Sequence, residues 1–150
     1  MPSTKGRLLL LHGPNLDRLG TREPAVYGTM TLADHVARAE ARAEQLGYTV
    51  DSKQSNDLAT LIGHVHHAAL TYLGIVLNAG ALTHFAWSLH DAIKSVGLPV
   101  VEVHISNPAA REPWRHESVV APVAIGTIAG FGELTYPLGV DALVRYVEAR

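Results

Sequence analysis

Short apolar runs separated by amphipathic stretches recur along this chain: RLLLLH at 7–12, LGIVLN at 73–78 and PVVEVH at 99–104. A strand with one wet face alternates apolar with polar residues, because successive side chains point to opposite sides. A strand apolar at consecutive positions is buried on both faces, as happens when helices cover a parallel sheet from above and below. Two further strands are expected, an alternating one at Tyr48–Lys53 and one at Ala121–Ala129. Helical patterns lie between them. Thr31 and Asp34 form a variant capping box for a helix that runs to Gly47. Asp57 caps a second helix, Thr83 caps a third through Val96, and Pro137 begins a last one. The predicted fold is a flavodoxin-like, doubly wound α/β domain over residues 1–150, with a five-stranded parallel sheet in the order 2-1-3-4-5. The 150 residues suffice for one domain with one real core.

In such a fold, ligands bind beyond the carboxyl ends of the strands, where the strand order switches. The unusual polar residues of this sequence fall there. The first strand leads into HGPNLDRLGTREPAVYG (12–28), which is long for a strand-to-helix connection and carries Asn15, Arg22 and Tyr27. An ordinary phenol has a pKa near 10, so a tyrosine base working near neutrality needs about 3–4 kcal/mol of preferential phenolate stabilisation. A nearby arginine supplies much of that in a partly desolvated site. The same spacing also suits a surface loop with a packed tyrosine.

The third strand ends in Asn78, followed by the small-residue turn that reaches Thr83 and His84. Asn78 and His84 are candidates to bond a hydroxyl or an enolate, and Asp91, seven residues beyond His84, is expected on roughly the same helix face. Glu102 and His104 are two apart on the fourth strand and so share a face. A carboxylate on one imidazole nitrogen fixes the tautomer and readies the other nitrogen for acid catalysis; the pair is equally consistent with an internal ion pair. Beyond it, Ile105, Ser106 and Arg115 offer amides, a hydroxyl and a donor fork to a carboxylate.

Several function classes drop out. With no cysteine there is no disulfide framework and no thiol catalysis. Net charge is −2 without a basic, aromatic-interleaved stretch, so no nucleic-acid partner is expected. The apolar run Leu8–Leu11 is too short for a signal peptide or membrane span, which makes a cytoplasmic protein the expectation. His64, His66 and His67 lack a HExxH pattern, and no metal is expected. Neither GxGxxG nor GxxxxGK[ST] occurs, and Lys5, Lys53 and Lys94 sit in no polar cluster that would support an imine mechanism.

Taken together, GPNLDRLGTREPAVYG (13–28), QSN (54–56), LNAGALTH (77–84), EVHISN (102–107), REPWRH (111–116) and GTIAGFG (126–132) closely resemble the type II 3-dehydroquinate dehydratases of the shikimate pathway, in order and spacing. The resemblance implies loss of water from 3-dehydroquinate to give 3-dehydroshikimate through an enolate, without metal or organic cofactor. Tyr27 would be the base, assisted by Arg22. His104 would protonate the departing hydroxyl, oriented by Glu102, and Asn15 would hold a water or the enolate oxygen. Asn78, His84, Ile105, Ser106 and Arg115 would bind substrate, and Asp91 would reach a neighbouring subunit's site within a dodecamer, a tetramer of trimers. The loop over 12–28 would act as a mobile lid. Two other readings remain open: a non-catalytic binding protein of this fold, and a lyase for a related cyclic hydroxy acid. The chain departs from the family at three places. The family commonly has asparagine at His12, an acid at Leu58 and arginine at His90, the last two suggesting a lost acid–base pair at a subunit contact.

Overall fold

The computed structural model describes residues 3–150. Five strands, β1 (Arg7–His12), β2 (Thr49–Gln54), β3 (Ile75–Asn78), β4 (Val100–His104) and β5 (Gly126–Ala129), form one sheet in the order β2-β1-β3-β4-β5. Every neighbouring pair is parallel. Five α-helices accompany them: α1 (Pro24–Tyr27), α2 (Leu32–Leu46), α3 (Leu58–Ala68), α4 (Trp87–Val96) and α5 (Thr135–Glu148).

The four leucines of β1 show why the run is continuous. Leu9 and Leu11 enter one core with Leu61 and Val65 of α3 and Leu89 and Ile93 of α4. Leu8 and Leu10 enter the other with Ala39 and Ala43 of α2 and Val140 and Leu143 of α5. All four are fully buried, and burying each side chain stabilises the fold by about 1.5–3 kcal/mol. Helix α5 sits close to the sheet at Gly139, where a Cβ would come within 2.9 Å of Val103 and 3.0 Å of Val76. The loops leaving β1 and β3 are equally tight. The Gly13 N–H donates to the Asn78 carbonyl at 2.7 Å, and a Cβ on Gly13 would lie 2.4 Å from the Ala79 oxygen.

The caps at Thr31 and Asp57 are formed. Thr31 and Asp34 exchange hydrogen bonds at 2.9 and 3.1 Å, and Asp57 accepts the Ala59 N–H at 3.3 Å. Elsewhere the boundaries move. The segment 121–123 is a 3-10 turn rather than the start of β5, because the Ser118 hydroxyl accepts the Val120 and Ala121 N–H groups and winds the chain there. Thr83 does not cap α4. It lies in a 3-10 turn, Gly80–His84, its hydroxyl is turned to Glu102, and α4 begins later at Trp87. The long connection after β1 is also structured, with a 3-10 turn at Leu16–Arg18 followed by α1.

Among the described residues no helix is long and apolar enough to cross a membrane. Leu58 packs, partly buried, against the α3–α4 core, and the His90 Nδ1 is 2.7 Å from the Val119 carbonyl oxygen. Both positions are therefore engaged within the chain.

Candidate active site

A cleft of about 140 Å³ opens at the carboxyl ends of β1, β3 and β4. Its walls include Asn15, Arg22, Tyr27, Asn78, His84, His104, Ile105, Ser106, Arg111 and Arg115. Two expected site residues lie outside this lining: Glu102, fully buried and bonded to His104, and Asp91, exposed on α4. Asp91 shares no helix with His84, which belongs to the preceding 3-10 turn.

Tyr27 closes α1 and turns its hydroxyl to two arginines. Arg22 Nη2 donates to it at 3.2 Å and Arg111 Nη1 at 2.8 Å. Both guanidinium groups also stand near the ring, 4.3 and 5.1 Å from its centroid. Both arginines thus place charged donors on the one phenol oxygen. Arg111 bonds the Ser106 hydroxyl as well, at 3.2 Å, and so ties the Tyr27 loop to the end of β4. The sequence places Arg111 after the fourth strand, in the REPWRH block and the polar cluster at the strand ends, but assigns it no partner. Its partner lies 84 positions away, a distance no local pattern encodes.

On β4, His104 Nε2 lies 2.7 Å from Glu102 Oε2, which leaves Nδ1 free of partners among the described residues. Glu102 is fully buried. Thr83, Ser118 and Thr127 donate hydroxyl hydrogens to its carboxylate at 2.5, 2.7 and 2.9 Å. Burial alone would push this carboxyl up. The bonds from His104, Thr83 and Ser118 outweigh it and hold the pKa at about 2. With three donors on Oε2 and one on Oε1, the ionised carboxylate can only accept, and His104 presents Nε2–H to it. These three hydroxyls come from three separate segments, and their convergence is a product of the fold.

The remaining groups are oriented in the same way. His84 Nδ1 lies 2.7 Å from the Glu117 carbonyl oxygen and must donate to it, so Nε2 is the acceptor. Burial lowers the His84 pKa, partly offset by that bond, and favours the neutral ring. Arg115 is braced by Glu112 at 2.7 Å and stacks 4.0 Å from the Trp114 ring centroid. Asn15 is in the left-handed region (φ 69°), and its N–H donates to Asn56 Oδ1 at 2.9 Å. Gln54 Nε2 donates to the Gly13 carbonyl at 3.2 Å, so the QSN segment supports the loop that carries Asn15.

The chain matches the model of the class II dehydroquinase family over residues 6–144. It belongs to that family. Its relatives include the 3-dehydroquinate dehydratase 1 of Corynebacterium efficiens, 55% identical over 93% of each chain. The 3-dehydroquinate dehydratase 2 of Ralstonia nicotianae is 52% identical over 95% of this chain and 96% of its own. Among solved structures, the type II dehydroquinase of Propionibacterium acnes superposes with a TM-score of 0.89 at 41% identity. That match covers 95% of this chain and 99% of the other. Five parallel strands in the order expected of the family underlie that match.

Proposed function

We propose that this protein removes water from 3-dehydroquinate to give 3-dehydroshikimate, with Tyr27 as base and His104 as acid. The observation that carries the reading is one cleft lined by a tyrosine hydroxyl between two guanidinium groups and by a histidine held by a buried carboxylate. Its relatives' names support the same substrate.

The elimination needs two opposite proton transfers. The Tyr27 phenolate takes the proton alpha to the ketone, and the electron pair moves into an enolate. Arg22 and Arg111 stabilise the phenolate, and Asn15 holds a water or the enolate oxygen. The enolate then expels the hydroxyl at C1. His104 Nδ1 protonates it as it leaves, and Glu102 balances the charge of the ring until that proton is given up. Tyr27 gains one proton and His104 loses one, so exchange with solvent restores both. Asn78, His84, Ile105, Ser106 and Arg115 bind the substrate hydroxyls and carboxylate. No step calls for a metal or an organic cofactor.

Residues 1–150 act as one unit in the cytoplasm on this reading, assembled as a homo-oligomer, a dodecamer of four trimers. Asp91, exposed on α4, serves the site of a neighbouring subunit. The test is the appearance of the conjugated enone product from 3-dehydroquinate in the presence of chelator. Borohydride added with substrate should not inactivate, because no imine forms. Tight binding without turnover would favour a non-catalytic role and overturn the reading.

A further inference from the structure

Two groups proposed to bind substrate, His84 and Arg115, lie in separate 3-10 turns, Gly80–His84 and Pro113–Arg115, and one side chain touches both. Trp114 presents the face of its indole to the Arg115 guanidinium, 4.0 Å from the ring centroid. It meets the His84 ring at 5.5 Å, with the two planes crossed at 87°. Core packing does not account for this tryptophan, which belongs to neither core and is 53% exposed.

The local sequence explains the arrangement. Pro113 opens its turn, and Glu112 precedes it. In a 3-10 turn, residues three apart eclipse, which brings Glu112 onto Arg115. Glu112 Oε2 accepts the Arg115 Nε–H at 2.7 Å, and the terminal N–H groups bond no other described residue. Arg115 lines the cleft, so that donor fork is available to an acceptor there. The same segment holds His84 a second time, through the Glu117 carbonyl on Nδ1, and leaves Nε2 as an acceptor. A donor fork and an acceptor nitrogen thus flank one indole. Cation–π attraction keeps the guanidinium on the ring face, and the crossed contact with His84 is a favoured geometry for ring pairs. A long side chain held in this way has less freedom left to lose when a ligand binds.

We propose that Trp114 is a positioning residue that fixes the Arg115 guanidinium and the His84 ring relative to each other. A ligand that offers a hydroxyl hydrogen and an acceptor oxygen then meets both groups at a set spacing. The idea deepens the proposed function and rests on it for the identity of that ligand. Arg115 and His84 hold substrate and move no proton in the elimination. Loss of the indole therefore weakens substrate and transition state alike, which raises KM and spares kcat.

The experiment has two arms, the first without substrate. Nitrogen-15 NMR of sedimented, arginine-labelled protein reads the Arg115 side-chain N–H signals, assigned by their absence in Arg115→Lys. An aromatic face shifts protons stacked on it upfield, so these signals should move downfield in Trp114→Leu, with Trp114→Phe between. Signals unmoved in Trp114→Leu would overturn the proposal whatever the protein turns over. In the second arm, KM and kcat for 3-dehydroquinate are compared among variants with equal circular dichroism. Trp114→Leu should raise KM about tenfold, the equivalent of ~1.4 kcal/mol, with kcat changed by less than about threefold. Trp114→Phe keeps a ring face for Arg115 and should hold KM within about threefold of wild type. A merely structural defect would lower the active fraction, and with it kcat, while leaving KM alone. Equal KM in all three proteins, or a loss confined to kcat, would overturn the proposal. No turnover by wild type would instead defeat the proposed function and leave the NMR arm to decide whether Trp114 braces Arg115.

Discussion

Acid should weaken this fold through His12 as pH falls below about 6.5. The group is enclosed on every side: Tyr136 of α5 and Ser52 of β2 bond it, Asn78 is its partner in register on β3, and His35 of α2 stacks against the Tyr136 ring. Burial, then the charge of His35, lowers its pKa from 6.5 to about 4. Between those values the unfolded chain binds the proton and the folded chain does not, so stability rises with pH in that window. The contribution is complete above pH 6.5 and is lost as pH falls towards 4. Linkage with these two values gives a loss of about 2 kcal/mol between pH 7 and 5, and about 3 kcal/mol by pH 4. His35 is lowered in the same direction by burial, and it is present in both proteins compared. Urea unfolding of wild type and His12→Asn at one fixed protein concentration isolates the His12 share. With a slope of about 2 kcal/mol per molar urea, the wild-type midpoint should fall by ~1 M more than the variant's between pH 7 and 5. Parallel curves for the two proteins would refute the burial argument.

Other outcomes follow from the cleft. Arg111→Leu should cut kcat by roughly 100-fold, the scale of losing one preorganised charge-stabilising donor; steady-state rates within threefold of wild type would contradict its place on Tyr27. Thr83→Val removes one of the four donors on the buried Glu102 carboxylate, and should cost about 1–3 kcal/mol in urea unfolding, with Thr83→Ser restoring most of it. If valine is tolerated as well as serine, the hydroxyl is not what holds the carboxylate. The segment 20–28 should exchange its amide hydrogens more slowly when an enolate mimic is bound; unchanged exchange would remove its role as a lid.

The architecture was legible because double burial leaves a direct mark on sequence. The leucines of β1 alternate between two cores, so the run has no polar gaps. Local caps were legible for the same reason: Thr31 and Asp34 are three residues apart and answer only to each other. Thr83 looked like a cap by the same rule and is not one, because a buried carboxylate 19 positions away claims its hydroxyl. Within the cleft, Glu102 with His104 and Arg22 with Tyr27 are short-range pairs that spacing could suggest. Arg111 on Tyr27, and the ring of hydroxyls on Glu102, depend on segments that only the sheet brings together. The His12–Tyr136 contact spans 124 positions and was invisible for that reason, although His12 itself stood out as a departure from the family.

The central claim is that Tyr27 is the base for an elimination from 3-dehydroquinate. Wild type and Tyr27→Phe, assayed side by side for the conjugated enone, test it most directly. Phenylalanine keeps the ring against Arg22 and Arg111 and removes only the oxygen that would take the proton. Wild type should turn over, and Tyr27→Phe should lose nearly all kcat while keeping its fold. Full activity in Tyr27→Phe would contradict the account.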